Sequence, residues 1–357
     1  MILRLQAALG HVLALPALLA LALPASAQWR AQSSPTDAEL RGLSVVSARV
    51  AWASGTRGTV LRTTDGGATW VRHVVPDASA LDFRAIAATS SQVAHVLSIG
   101  DSSRIYRTTD GGRSWSLRFM STRKGSFFDA IQFWDARHGI AMSDPVDGRF
   151  LLVTTDDGGE NWMAVPADRV PAALPGEGAF AASGTCLAVL GKSDVWLVSG
   201  GAAVARVYHS PDRGRSWTVH DTPIRAGVGS AGIFSIAFRD PKHGAIAGGD
   251  YQQPALRGRN LAVTSDGGVT WTLADSVSSP AGYRSAVAFL PGGGSRTLVA
   301  VGLTGTDVSR DGGANWAPVD SVPYNTVVFA SSGAGWAVGP KGRIGRWIGS
   351  AKLRPMH

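Results

Sequence analysis

One short motif recurs six times, and this recurrence constrains the fold more than any other feature. The motif reads Ser or Thr, any residue, Asp, any residue, Gly, any residue, then Thr, Ser or Asn, and finally Trp. Its copies are 45, 47, 55, 54 and 45 residues apart and end at Trp70, Trp115, Trp162, Trp217, Trp271 and Trp316. A period of this size is typical of the four-stranded blades of a β-propeller.

The residues shared by the copies have a local structural role. Each Asp can accept hydrogen bonds from backbone N–H groups of its own turn, and each Gly allows the positive φ that closes the turn. The Trp then opens the next strand and packs over the turn. We therefore assign a structural role to the six aspartates, which are Asp65, Asp110, Asp157, Asp212, Asp266 and Asp311.

Alignment of the β-rich segments between these turns gives seven units rather than six. One first-strand position holds Val45, Ala88, Phe133, Val189, Phe238, Phe289 and Phe329. The seventh unit has three predicted strands and no Asp turn, whereas Trp29 precedes Leu40 by 11 residues, as Trp70 precedes Leu81. We therefore predict an all-β, seven-bladed β-propeller in which the N-terminal strand completes blade seven and removes an open sheet edge.

The first segment differs in composition from the rest. Arg4 is followed by an almost unbroken apolar run, and Ala25 and Ala27 form an Ala-x-Ala cleavage site. We predict a signal peptide over 1–27, cut between Ala27 and Gln28, and a periplasmic or secreted protein; an uncleaved anchor is the alternative. The propeller then spans 28–350 as one domain and 351–357 is a C-terminal tail. No later segment is long and apolar enough to predict an integral membrane protein.

Charge content indicates the class of partner, and cysteine and histidine content bears on disulfides and metal sites. Without Arg4 the chain has 33 basic and 26 acidic residues, a net charge of +7, which favours acidic partners or anionic surfaces. The basic residues are scattered and accompany no nucleic-acid motif, so no nucleic acid is expected. Cys186 is the single cysteine, which excludes an intramolecular disulfide, and the histidines are dispersed. We expect no metal and no cofactor.

Two stretches show a family resemblance. "TTDGGATW" resembles the Asp-box (BNR) repeats of sialidases, sortilin-type receptors and many bacterial propellers, and with "GWAVGPKGRIGRW" the chain is most similar to the photosystem II stability and assembly factor family. The resemblance covers residues 28 to 349. It implies Asp boxes on the blade periphery, away from the binding face, and therefore aspartates that are not catalytic.

The more distant sialidase resemblance implies an active site that the residues do not supply. "FRAIA" offers Arg84 but lacks the proline of the sialidase Arg-Ile-Pro motif. Glutamate occurs three times, and Glu177 is the one that remains to pair with Tyr283 or Tyr324. Ordinary glycosidases need two facing carboxylates, and the sequence marks no such pair. We assign no catalytic residue, and a glycan-active or glycan-binding protein stays as the alternative.

A binding face remains as the leading interpretation. Loops between blades, and loops between second and third strands, emerge at one end of a propeller. The residues that we expect to bind a partner there are Arg57, Arg84, Arg123, Lys124, Tyr251, Arg257, Arg259, Lys341 and Arg343. An Arg-rich rim with one aromatic suits a protein partner with an acidic segment. The resemblance implies an assembly or stability factor for a membrane complex, and we expect a monomer.

The first-strand starts provide a second set of residues around the channel mouth. They are Arg41, Arg84, Asp129, Thr185, Phe234, Ser285 and Asn325, with Arg284 adjacent. Mixed polarity there fits either a small-ligand site or ordered water, and both interpretations stay open.

Overall fold

The fold consists of seven antiparallel four-stranded sheets. The computed structural model describes residues 28–100, 102–274, 279–292 and 296–349, so the expected signal peptide and C-terminal tail lie outside the described residues. A single short 3-10 helix, Ala167–Arg169, interrupts the strands of this part of the chain. Over the same residues, no helix has the length and apolar character needed to cross a bilayer.

Six blades are each built from four consecutive strands. Blades one and two comprise β2 (Leu40–Val45), β3 (Ala51–Gly55), β4 (Thr59–Thr63), β5 (Val71–Val74), β6 (Phe83–Ala88), β7 (Ala94–Ser98), β8 (Arg104–Thr108) and β9 (Ser116–Met120). Blades three and four comprise β10 (Phe128–Phe133), β11 (Gly139–Val146), β12 (Arg149–Thr155), β13 (Met163–Ala164), β14 (Leu187–Leu190), β15 (Asp194–Val198), β16 (Arg206–Ser210) and β17 (Thr218–Asp221). Blades five and six comprise β18 (Ala231–Phe238), β19 (Gly244–Asp250), β20 (Leu261–Thr264), β21 (Thr272–Leu273), β22 (Ala286–Phe289), β23 (Leu298–Gly302), β24 (Gly305–Ser309) and β25 (Ala317–Asp320).

Blade seven joins the two ends of the chain. Its strands are β26 (Thr326–Phe329), β27 (Gly335–Val338), β28 (Ile344–Trp347) and, at the outer edge, β1 (Trp29–Gln32). Trp29 lies opposite Trp347, with ring centroids 4.9 Å apart, and packs on Tyr324 at 5.4 Å. The Trp29 Nε1 donates to Thr306 Oγ1 in blade six at 3.0 Å. The N-terminal strand is therefore the fourth strand of blade seven.

The aligned first-strand position has the same place in every blade. Six of the seven aligned residues end their strands, and Val189 lies one residue before the end of β14. The alignment of the sequence repeats therefore identified equivalent positions near the ends of all seven first strands.

The Asp turns connect third to fourth strands at the end opposite the predicted binding face. In the first turn Asp65 Oδ1 accepts from the Thr63 hydroxyl at 2.8 Å and from the Thr69 N–H at 3.0 Å, and Oδ2 accepts from the Thr69 hydroxyl at 2.6 Å. Hydrogen bonds from Thr69 hold the pKa of Asp65 well below its ordinary value. Gly67, at φ 85°, brings its N–H within 2.8 Å of the Thr63 hydroxyl. These contacts support the structural role predicted for the aspartates.

The closing strand also supports a neighbouring blade. The amide oxygen of Gln32 accepts from Trp70 Nε1 at 3.0 Å and from Trp336 Nε1 at 2.9 Å. One side chain of β1 thus connects a buried Trp of blade one to a buried Trp of blade seven.

Replacing Trp29 with Ala tests this closure. The substitution removes a buried aromatic and its hydrogen bond, so the free energy of unfolding should fall by about 3–5 kcal/mol in a denaturant titration. Val74→Ala, at a β5 position that is 78% exposed, is the control and should change stability little. Equal stability of the two variants would contradict a closing role for Trp29.

Candidate functional site

Four first strands carry a β-bulge at the same position. The register shifts by one residue between Leu40 and Gly42 in β2, and the same shift occurs in β6, β10 and β18. A bulge leaves one residue unpaired and re-aims its side chain. The bulged residues all line one cavity at the channel mouth, and they are Arg41, Arg84, Asp129 and Phe234.

This cavity has a charged side and an aromatic side. Its volume is about 360 Å³, in the range of small-ligand sites. Phe180 stacks on Phe234 with ring centroids 3.9 Å apart, and Tyr251 meets Phe180 edge-on at 6.4 Å. Phe127 and Tyr283 complete the aromatic lining. The charged residues come from blades one to three and the aromatic residues largely from the loops and strands of blades four to six.

Residues 178–183 of blade four are here called the plug, and four of them, Ala179, Phe180, Ala181 and Ala182, line the cavity. Arg41 donates to the Ala182 carbonyl at 3.1 Å and Arg84 to the Ala181 carbonyl at 3.3 Å. The Ser183 hydroxyl donates to the carbonyl of Ser285 in blade six at 2.9 Å. The plug is thus tied to several blades, and it accounts for part of the long 55-residue interval between the third and fourth Asp turns.

The two cavity arginines keep part of their donor capacity. Arg41 pairs with Glu39 at 2.6 Å and Arg84 pairs with Asp82 at 2.9 Å, with arginine side chains 21% and 28% exposed. Burial lowers the pKa of Arg41 from a value near 12.5, which leaves the guanidinium charged at neutral pH. The Arg41 Nε is buried and has no hydrogen-bond partner among the described residues. A bound anion would find donors here.

Asp129 is the third charge-bearing group of the cavity. The residue is 1% exposed, and neither carboxyl oxygen has a hydrogen-bond partner among the residues that the structure describes. Burial raises the pKa of Asp129 well above its ordinary value, the nearby Asp144 raises it further, and Arg84 opposes the rise. Burial also raises the pKa of Asp144 to about 6. Burial therefore favours the protonated form of Asp129 when the cavity is empty.

The structure brings two of the predicted binding residues, Arg84 and Tyr251, together in the cavity. The other seven lie in loops or strand ends on the same end of the propeller and are Arg57, Arg123, Lys124, Arg257, Arg259, Lys341 and Arg343.

Several of these rim residues have local partners. Arg57 pairs with Asp37, and Arg123 pairs with Asp147 at 2.8 Å. Two others donate to backbone carbonyls at 2.9 Å, namely Arg259 to Pro223 and Arg343 to Pro323. Within the described ranges, no ion-pair partner is found for Lys124, Arg257 or Lys341. The rim therefore presents less uncompensated positive charge than the sequence suggests.

Three residues expected at the channel mouth do not line the cavity. Arg284 is 1% exposed and pairs with the buried Asp307. The Thr185 hydroxyl donates to Ser235 at 2.8 Å, and the Ser285 hydroxyl donates to the Asn325 carbonyl at 2.7 Å. Asn325 does line the cavity. Sequence reasoning also missed Phe127 and Phe180, for which the only signal was their position in loops leading into first strands.

Glu177, the one glutamate left to pair with Tyr283 or Tyr324 in a sialidase-like site, has other partners. The Glu177 side chain is fully buried in blade four, and its Oε1 accepts from Arg206 Nε at 3.0 Å and from the Tyr208 hydroxyl at 3.2 Å. The Ser199 hydroxyl donates to the same oxygen at 2.5 Å. Glu177 directly precedes the plug, so this buried ion pair anchors it.

No protein-family model and no curated protein matches the sequence. The structure is similar to YCF48 bound to a D1 peptide, with a TM-score of 0.66, 20% identity, and coverage of 94% of this chain and 100% of that one. The chain shares the YCF48 fold.

Two further structures resemble this propeller. YCF48 from Cyanidioschyzon merolae has a TM-score of 0.64 and 21% identity, with 90% of this chain and 99% of that chain covered. The GH74 xyloglucanase from Xanthomonas campestris has a TM-score of 0.63 and 18% identity, with 92% of this chain and 55% of that chain covered. Both the YCF48 fold and GH74 propellers therefore match the predicted architecture.

Asp129→Asn should change the pH dependence of stability. The pKa of Asp129 is raised in the folded state, so above the unfolded pKa of about 3.9 unfolding releases a proton. Stability from this group is complete below that pH and is lost as pH rises towards the folded pKa. The variant should therefore gain stability relative to the original protein as the pH rises above about 4, in thermal melts. A difference in melting temperature that stays constant above this pH would contradict a raised pKa for Asp129.

Glu177→Gln tests the anchor of the plug. The substitution leaves the buried Arg206 guanidinium without its counter-ion, so we expect a loss of about 3 kcal/mol in unfolding free energy. Asp37→Asn removes an exposed rim pair and should cost well under about 1 kcal/mol. Similar effects from both variants would contradict an anchoring role for Glu177.

Proposed function

We propose that the protein is an exported, non-enzymatic propeller that binds an acidic segment of a protein partner through its loop face, as an assembly or stability factor for a membrane complex. The observation that carries this proposal is the cavity in which Arg41 and Arg84 face an aromatic wall. YCF48, whose fold the chain shares, has been seen with a D1 peptide, so a propeller of this shape can take a peptide.

The cavity and the rim suit different parts of such a partner. Arginine binds carboxylates through charge-assisted and often bidentate hydrogen bonds, and the donors left on Arg41 and Arg84 are available for one. An apolar side chain next to the acidic residue would pack on Phe180 and Tyr251. The exposed rim cations would raise the rate of encounter with an acidic segment.

Export is part of the proposal and has its own test. It is supported by the apolar run and the Ala-x-Ala site in residues 1–27. Intact mass measurement of the protein recovered from the periplasm or medium should show a chain that starts at Gln28. Recovery of the full chain in the membrane fraction would instead favour an uncleaved anchor.

A glycan-active protein is the second candidate, and the likeness to a GH74 xyloglucanase supports it. That enzyme is longer, since the match covers 55% of its chain. Glycosidases need two facing carboxylates, and Asp129 is the carboxyl that lines the described cavity. Hydrolysis of xyloglucan or aryl sialosides by the purified protein, abolished by Asp129→Asn, would establish this alternative over the first.

Reversal of two rim charges tests the protein-binding proposal. Arg257→Glu combined with Lys341→Glu changes two exposed residues for which no ion-pair partner is described. Capture of the partner from the envelope fraction, quantified by mass spectrometry, should fall about tenfold, and capture by the original protein should fall with added salt.

The matched control places the same charge change at the other end of the propeller. Arg113→Glu combined with Arg215→Glu alters two exposed residues of Asp turns and should leave capture unchanged. Equal loss in both double variants would mean that net charge, rather than the loop face, governs binding.

A further inference from the structure

The cavity combines two arginines and a buried carboxyl group with an aromatic wall. Arg41, Arg84 and Asp129 occupy the same bulge position in three consecutive blades, and Phe180 and Tyr251 form the wall. We propose that this cavity binds a free apolar α-amino acid, with its carboxylate on the arginines, its ammonium on Asp129 and its side chain on the aromatic wall. This proposal does not depend on a protein partner.

The strongest support for the ammonium position is the unsatisfied carboxyl of Asp129. Buried polar side chains nearly always have hydrogen-bond partners, and an unpaired one costs free energy. Both oxygens of Asp129 lack a partner among the described residues although the residue is only 1% exposed. An ammonium group has three donors and a positive charge, so it would satisfy both oxygens and stabilise the ionised carboxylate.

Neighbouring ionisable groups affect whether the Asp129 carboxyl holds a proton or, as a carboxylate, binds an ammonium group. Arg84 and Asp144 act electrostatically on the Asp129 carboxyl in opposite senses: Asp144 raises its pKa and Arg84 lowers it. Asp144 Oδ1 accepts from the Ala179 N–H in the plug at 2.7 Å, and Asp144 does not line the cavity. Because burial favours the protonated form of Asp129 in the empty cavity, binding of an ammonium group to the carboxylate should release a proton.

The arginines and the aromatic wall determine the polarity and size of the ligand. The Arg41 Nε lacks a partner among the residues described, and Arg84 has donors beyond those used by Asp82 and Ala181. A volume of about 360 Å³ accommodates an amino acid with a large apolar side chain. Tyr251 is 45% exposed and presents its ring at the opening. Phenylalanine therefore suits all three parts of the cavity.

Isothermal titration calorimetry of the purified protein tests the proposal with three probes. L-phenylalanine has all three groups, 3-phenylpropionate lacks the ammonium, and phenethylamine lacks the carboxylate. Phenylalanine should bind at least about tenfold more tightly than either analogue, which corresponds to about 1.4 kcal/mol. Its apparent enthalpy should vary between buffers of different ionisation enthalpy, because a proton is released.

Variants assign each contact. Asp129→Asn should reduce phenylalanine to the affinity of 3-phenylpropionate and abolish proton release, without weakening 3-phenylpropionate. Arg84→Gln should weaken phenylalanine and 3-phenylpropionate about equally and spare phenethylamine. Asp37→Asn, at an exposed rim position, is the control and should change none of the three.

Two results would overturn the proposal. The first is a finding that phenylalanine binds no more tightly than its two analogues. This measurement uses the original protein, so it remains decisive even if a variant fails to fold. The other is proton release that persists in Asp129→Asn. The titrations contain no partner protein. A negative result in them would therefore overturn the amino-acid proposal without bearing on the capture experiment with the rim variants.

Discussion

The pairing of β1 with β28 is the constraint on which the rest of the molecule depends. It places the N-terminal strand in the last sheet, where Trp29 lies opposite Trp347 and Gln32 bonds to tryptophans of blades one and seven. In a ring, the position of each first strand around the axis depends on every other blade being in place. The bulged residues of blades one, two, three and five share a cavity only because the ring is closed.

The plug is the second long-range element, and a buried ion pair holds it. Removing two charges from water is unfavourable unless the pair is well hydrogen-bonded. Glu177 meets this condition through Arg206, Tyr208 and Ser199, so the start of the plug has one defined position. Its carbonyls then take one donor each from Arg41 and Arg84. Any ligand of these arginines thus binds against the plug as well as against the blades.

The sequence alone predicted the blades well because their signals are local. Each Asp turn closes on its own residues, and the repeat spacing carries the register from blade to blade. Trp29 was recognisable since it repeats the distance seen from Trp70 to Leu81. These features need no knowledge of which distant residues meet.

The cavity was only partly predictable, for physical reasons that particular residues show. The first-strand positions were identified, but a bulge is a one-residue shift in pairing and leaves no mark on the repeat, so Arg41 and Asp129 could not be distinguished from Thr185 or Ser285. The partner of Glu177 is 29 residues away in β16, and the pairing of Arg57 with Asp37 joins two separate loops. Such contacts depend on three-dimensional closure.

The rim and the cavity differ in how strongly their charges can act on a ligand. The side chains of the rim pairs are more than half exposed, so salt screens them and each contributes little. Charged groups within the cavity interact more strongly because little water surrounds them. A partner held by the rim alone would be released by salt, so any binding to this face that resists salt would depend on the cavity residues.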